Sequence, residues 1–225
     1  MKPADSDAKP QIPGDSAWMI KCGGSLLQLP DVASRLQSLL LRFHLRPAVV
    51  LVGGGECADL VRRWDQRFSL SVQSAHDLAI TAMSLNAGLL CALQPQFQLV
   101  HSCSESASHS SDVISVLEPV SAIRRAEPIA GKLPCGWDIT SDSIAAWLAR
   151  AHGFSKVLLL KSVDLPDQEP TEQPSMKSRL QRLADQQLTD QQFPRIVGSE
   201  QQVWWSNLAA DSPTITPVLP TLPPR

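Results

Sequence analysis

Much of what would announce a function is missing from this 225-residue chain. Neither sign of charge is in excess: 20 Lys and Arg stand against 22 Asp and Glu, a formal net charge of −2. A protein that tracks nucleic acid or anionic lipid needs a basic field. Neither is therefore an expected partner, and any phosphate must be held locally, by a few placed amides and ammonium groups. No apolar run reaches the ~18 residues of a membrane span. Residues 1–16 are polar and proline-containing rather than a hydrophobic signal core. The reading is a cytoplasmic protein with no membrane partner and a loose lead-in over 1–16. The five cysteines (Cys22, Cys57, Cys91, Cys103 and Cys135) are scattered, odd in number and without a C-x-x-C pair. They read as reduced thiols in or near the core rather than a disulfide framework or a metal site. His44, His101, His109 and His152 keep no ligand spacing, so no metal site is expected. Both common nucleotide patterns, G-x-x-x-x-G-K-[ST] and G-x-G-x-x-G, are absent, as is any internal repeat.

What is present is enough for a sizeable core: 43% hydrophobic and 19% charged residues, in a length that suits one domain or two tightly packed lobes. Residues 17–22 are a short apolar strand ended by Gly23-Gly24. Val32, Leu36, Leu39, Leu40 and Phe43 keep helical spacing over 31–43, with Asp31 a candidate N-cap. Residues 47–52 form an unbroken apolar run, as in parallel strands covered on both faces, followed by Gly53-Gly54-Gly55 and a helix over about 56–68. Repeated strand, glycine turn and helix is the pattern of an α/β domain. A long Ala/Leu-rich helix is predicted over 74–93, strands over 98–100 and 113–117, and a Ser/His-rich loop over 102–112. An amphipathic helix follows over 142–152 with Gly153 at its end, then a strand over 156–163. Beyond Asp164 periodicity fades, and most of the C-terminal prolines lie in 211–225.

Several residues could carry chemistry. After a buried strand, Gly23 and Gly24 let backbone amides approach a ligand, and Lys21 could reach the same anion. An ordinary turn with a surface lysine would look the same. Three consecutive glycines at 53–55 cost roughly 1 kcal/mol each in chain entropy if they sit in regular structure. They are easier to understand where backbone must come close to something. Two such turns at the carboxyl ends of parallel strands would face one crevice. Thr140, Ser141 and Asp142 precede a helix, so they could be plain caps, or hydroxyls for substrate and a carboxylate that holds lysines. Lys161 is out of place in an apolar strand and reads as pointing into a site. His76 and Asp77 open the Ala-rich helix, as site residues or as terminal polarity.

Taken in order, Lys21-x-Gly23-Gly24-Ser25, Gly53-Gly54-Gly55, residues 140–146 and residues 158–164 resemble the amino acid kinase family over about 17–164. Residues 55–63, 75–80 and 137–143 look like its aminomethylfuran phosphate kinases of methanofuran synthesis, and more like bacterial relatives in one-carbon cofactor (methanopterin) pathways. The resemblance implies a three-layer αβα sandwich with a mainly parallel sheet. It also implies in-line transfer of the ATP γ-phosphoryl, helped by Mg2+, to a phosphate-bearing small molecule, and a homodimer built on the 74–93 helix. Residue by residue, Lys21, Gly23, Gly24, Ser25, Lys161, Ser162 and Asp164 would meet the nucleotide. Gly53, Gly54, Gly55, His76, Thr140 and Ser141 would meet the acceptor. Lys21, Asp142 and Lys161 would form the catalytic centre. The chain departs from the family at Lys161-Ser162-Val163-Asp164-Leu165, where a Thr-Asp-Val-Asp-Gly-Val run is usual, and Lys161 or Lys177 would replace a later family lysine. The expected layout is therefore a kinase-like domain over 17–210, with an acceptor-binding part at 17–153 and a reduced nucleotide-side part at 154–210, before the proline-rich tail. The altered segment also leaves room for a rival: a degenerate, non-catalytic relative that binds a phosphorylated metabolite or serves as a partner subunit.

Overall fold

The computed structural model of the protein describes residues 17–105, 113–167 and 175–219. The lead-in and most of the Ser/His-rich loop lie outside the described residues. Chain order is β1 (Trp18–Cys22), a 3-10 turn (Gly24–Gln28), α1 (Val32–Arg42), β2 (Ala48–Val52), α2 (Gly55–Phe68) and α3 (Val72–Leu93). Then come β3 (Phe97–Val100), β4 (Ile114–Leu117), α4 (Pro119–Ala130), α5 (Ser141–Ala151) and β5 (Lys156–Lys161). The chain closes with α6 (Met176–Asp185), α7 (Phe193–Ile196), β6 (Gln202–Asn207) and β7 (Thr216–Pro217).

The strands form one seven-stranded sheet in the order β3-β4-β2-β1-β5-β6-β7. Every pairing is parallel except that of β6 with β7. The apolar runs are unbroken because both faces of the central strands are covered. Met19, Val49, Leu51, Val157 and Leu159 enter one core with Trp147 of α5. Ile20, Cys22, Val50, Val52, Leu158 and Leu160 enter the other with Leu36 and Leu40 of α1. Helix, sheet and helix layers follow, as expected from the sequence.

Local signals set most helix ends. Ser71 caps α3 by accepting from Ser74 N at 3.1 Å, so that helix begins at Val72 and His76 lies a turn inside it rather than at its start. Gly153, at φ +74, supplies the left-handed residue after α5. Asp31 precedes α1 but makes no capping bond; its carboxylate pairs with Arg35 instead, at 2.9 Å. α4 was not anticipated, although Glu118 accepts from Val120 N and Ser121 N just before Pro119, a favourable helix entry. β5 ends at Lys161, two residues short of the expected strand end. Part of the proline-rich stretch is integrated into the fold, since Thr216–Pro217 pairs with β6 and Val218 is fully buried.

α3 alone among the described helices is long and apolar enough to cross a membrane by length and composition. Here Ile80 and Met83 join one core and Ala87 and Leu90 the other. It also carries the buried polar residues His76 and Asn86.

Candidate active site

The carboxyl ends of β2, β1 and β5 are adjacent, and this placement brings distant sequence motifs together. Register aligns Lys21 with Leu51 on one side and Leu159 on the other. Lys21 is the penultimate residue of β1 and Lys161 the last of β5, so both ammonium groups converge on Asp142 in the first turn of α5. Asp142 Oδ1 lies 3.0 Å from Lys21 Nζ, and Oδ2 accepts from Lys161 Nζ at 2.7 Å. Lys161 also donates to Leu188 O at 2.6 Å, and its ammonium lies 5.5 Å from the centre of the Trp205 ring. Burial alone would raise the Asp142 carboxyl, but Lys161 and then Lys21 hold it below the ordinary range. Burial lowers Lys161 to about 8 against the pull of Asp142, with Lys21 adding to the fall. Two ammonium groups thus share one buried carboxylate, and the trio by itself carries one net positive charge.

The two glycine turns do face one crevice, and they touch. Gly23 N donates to Leu160 O at 3.0 Å and Gly53 N to Cys22 O at 2.8 Å, which carries the sheet's pairing into both bends. A Cβ on Gly24 would stand 2.1 Å from Gly55 N, and one on Gly53 would stand 2.8 Å from Gly24 N and from Ser141 Oγ. Much of the demand for glycine is thus turn-on-turn packing. Gly55 adds a positive φ of 47°. Asn86 of α3 fixes the second turn, with Nδ2 donating to Gly53 O and Gly54 O at 2.8 Å each.

Beside Gly54 and Gly55 opens a cavity of about 180 Å³. Ile80, Met83, Ile139 and Ile144 make its apolar wall, and Arg62, His76, Thr140 and Ser141 contribute polar groups. The Arg62 guanidinium lies over the Trp137 ring, 4.6 Å from its centre, and pairs with Asp59 at 2.6 Å. Trp137 Nε1 donates to Asp65 at 2.7 Å, which fixes the indole as a wall of the cavity. Burial lowers the His76 pKa, opposed by Asp77, a backbone bond at Gly136 and Asp138. Burial thus favours the neutral imidazole.

Ser25 Oγ, just past the first glycine turn, lies 3.5 Å from Ser162 Oγ, just past β5. A second cavity of about 440 Å³ opens at the carboxyl ends of β5 and β6, lined by Asp164, Arg179, Ser206 and Asn207 among others. Asn207 donates to Asp164 at 3.0 Å, and Ser206 Oγ is buried with no hydrogen-bond partner among the described residues. Of the two lysines considered as replacements, Lys161 is at the centre, whereas Lys177 is exposed on α6. Sequence reasoning missed Arg62, Asn86, Leu188 and Asp190. Arg62 stood in a stretch that carried the resemblance, and its spacing of three from Asp59 was a usable signal.

Comparison with known proteins bears on all of this. The model of the family described as "Amino acid kinase family" matches residues 17–200. The [5-(aminomethyl)furan-3-yl]methyl phosphate kinase of Methanocaldococcus jannaschii is 29% identical over 154 residues. That alignment covers 65% of this chain and 66%, just under two thirds, of the archaeal protein. Among solved structures, the uridylate kinase of Archaeoglobus fulgidus superposes with a TM-score of 0.57 at 18% identity, covering 83% of this chain and 88% of that one. The UMP kinase of Ureaplasma parvum gives 0.54 at 13% identity, covering 85% and 89%. At such identities the likeness concerns the fold.

Proposed function

The chain belongs to the amino acid kinase family, and from that premise we propose that it is a kinase acting on a small phosphate-bearing acceptor. An oxygen of the acceptor phosphate attacks the γ-phosphorus of ATP in line, the bond to the β-γ bridging oxygen breaks, and ADP leaves. The product is a diphosphate, with no covalent enzyme intermediate. The observation that carries this reading is Asp142 holding Lys21 and Lys161 beside two touching glycine turns. Their ammonium groups would neutralise charge on the transferred phosphoryl and the leaving oxygen. Gly23, Gly24, Ser25, Ser162 and Asp164 would meet the nucleotide, and Gly53, Gly54, Gly55, Arg62, His76, Thr140 and Ser141 the acceptor.

The acceptor we favour is an aminomethylfuran phosphate-like compound of one-carbon cofactor synthesis. Two observations support it: similarity to the archaeal kinase, and a cavity of about 180 Å³ with an indole and aliphatic walls. An engineered cavity of roughly 150 Å³ holds one benzene ring, so this one suits a single ring better than a nucleoside. Mg2+, when bound with ATP, supplies charge neutralisation across the β and γ phosphates. No group of three or more His, Cys, Asp or Glu among the described residues could hold a metal, so phosphate oxygens and water would be its main ligands. The same reading makes the protein a cytoplasmic homodimer through α2 and α3. Their outer faces expose Phe68 at 62%, Val72 at 64% and Leu85 at 66%.

The direct test uses the purified protein, ATP–Mg2+ and [5-(aminomethyl)furan-3-yl]methyl phosphate, following ADP release. Lys21→Ala should lower turnover by about 10²-fold or more with an unchanged far-UV spectrum. Wild-type turnover in that variant removes Lys21 from the mechanism. The rival, a non-catalytic binder, is suggested by the departure from the family at 161–165 but disfavoured by the Lys161–Asp142 bond, which keeps a second ammonium at the centre. Titration calorimetry separates the two: no heat at millimolar ATP–Mg2+ would favour the rival.

A further inference from the structure

We infer that Asp190, in the turn between α6 and α7, is a positioning residue whose carboxylate sets the geometry of the Lys21–Asp142–Lys161 centre from outside it. Thr140 occupies the N-cap position of α5 but makes no capping bond with its side chain. The carboxylate that serves those amides comes from 50 residues downstream. Asp190 Oδ2 accepts from Thr140 N at 3.0 Å, Thr140 Oγ1 at 2.9 Å and Ser143 N at 3.0 Å. Oδ1 accepts from the Ser143 hydroxyl, from Gln192 N at 3.2 Å and from Phe193 N at 2.9 Å. Four of these six donors are backbone amides at the starts of α5 and α7, so one buried anion closes two helix termini. Asp142 lies in the turn of α5 that is clamped this way.

The other end of the clamp is Lys161. Two residues before Asp190, Leu188 O accepts from Lys161 Nζ at 2.6 Å. The segment 188–190 therefore grips both partners of the central pair, Asp142 through the α5 turn and Lys161 through a carbonyl. Asp190 also adds a buried negative charge, although burial, and with it Asp142, pushes its carboxyl above the ordinary range against the donors at Ser143 and Thr140. The groups facing Lys161 are Asp142 of α5, Lys21 of β1, Asp190 and the Trp205 ring of β6. Of these, Asp142 and Asp190 favour its proton, while Lys21 and burial disfavour it. An uncharged cap at the same place would leave that balance untouched.

The catalytic consequence rests on the kinase reading, but the test need not. Lysine 13Cε NMR on the unliganded protein gives the titration midpoint of Lys161, assigned as the resonance missing from Lys161→Arg. Asp190→Asn, which removes the charge at constant shape, should move that midpoint down by about half a pH unit or more. Asp190→Glu should keep it near the wild-type value. Asp190→Ser serves as a second charge-free variant should Asp190→Asn fail to fold by far-UV spectrum. An unmoved Lys161 midpoint in a folded charge-free variant overturns the inference, and so does an equal fall in Asp190→Glu. In the kinase assay the charge-free variants should lose kcat more than they raise KM. A wild-type protein without kinase activity would overturn the proposed function and leave the titration result standing.

Discussion

Lys161 is asked to be both largely withdrawn from water and charged, and these demands oppose each other. Its proton is released near pH 8 in the folded protein, against 10.5 when free. If the ammonium is needed for transfer, turnover should fall as pH rises through about 8, while Lys161→Arg, if active, should push that limb to higher pH. The pH profile of kcat/KM between pH 6 and 10, which reports the free enzyme, decides it; a flat profile across 7.5–9 would exclude the role. Stability should move the other way. Between about 8 and 10.5 the unfolded chain holds the Lys161 proton and the folded one does not, so this residue's contribution to stability rises with pH. The window closes early, because burial pushes the Cys22 and Cys103 thiols up to about 12 from 9.0, and they act in the opposite sense above pH 9. For Asp142→Asn, two ammonium groups lose their shared counter-ion. A loss of about 3–5 kcal/mol is expected for breaking a buried pair, read as a lower urea midpoint together with loss of activity.

At the scale of elements, the second glycine turn depends on a helix that it does not adjoin in sequence. Asn86→Leu should strand the buried carbonyl of Gly53 and the part-buried one of Gly54, costing about 1–3 kcal/mol and, on the proposed reading, raising KM for the acceptor. An unchanged melting temperature and KM would show that the turn holds itself. This dependence also marks the limit of what could be read beforehand. β1, β2, β5, α1, α2, α3 and α5 were legible because they combine strong apolar period with glycine or proline punctuation. α6 was not, since its buried residues Arg179, Leu180, Leu183 and Ala184 sit in an otherwise polar run. β6 was missed because Gln202, Ser206 and Asn207 dilute its apolar residues. Lys21, Asp142 and Lys161 could each be singled out as candidates where they stand, but it is the family resemblance that joined them into one centre. Asn86 and Asp190 gave no such sign: the partners that tie an amide on a long helix and an acid in a turn to the site lie 32 to 50 residues away.

For the molecule as a whole, two predictions follow from its boundaries. The uncovered apolar face of α2 and α3 should be buried in solution, so Leu85→Glu combined with Leu89→Glu should halve the mass seen by analytical ultracentrifugation while keeping the fold. A wild-type monomer at micromolar concentration would reject the dimer. The family match ends at residue 200, yet removal of 211–225 should lower the melting temperature, because it uncovers an edge of β6 and withdraws Val218 from the core. The contact of Gly24 with Gly55 has a longer reach. Where two bends leave no room for even a methyl group between them, neither can drift alone: on the proposed reading, in which one bend meets the acceptor and the other the nucleotide, a lineage that remodels the first disturbs the second in the same step. New acceptor preferences should therefore arise, in nature or by directed evolution, from changes in the walls at Arg62, Met83 and Trp137, while the bends themselves stay frozen.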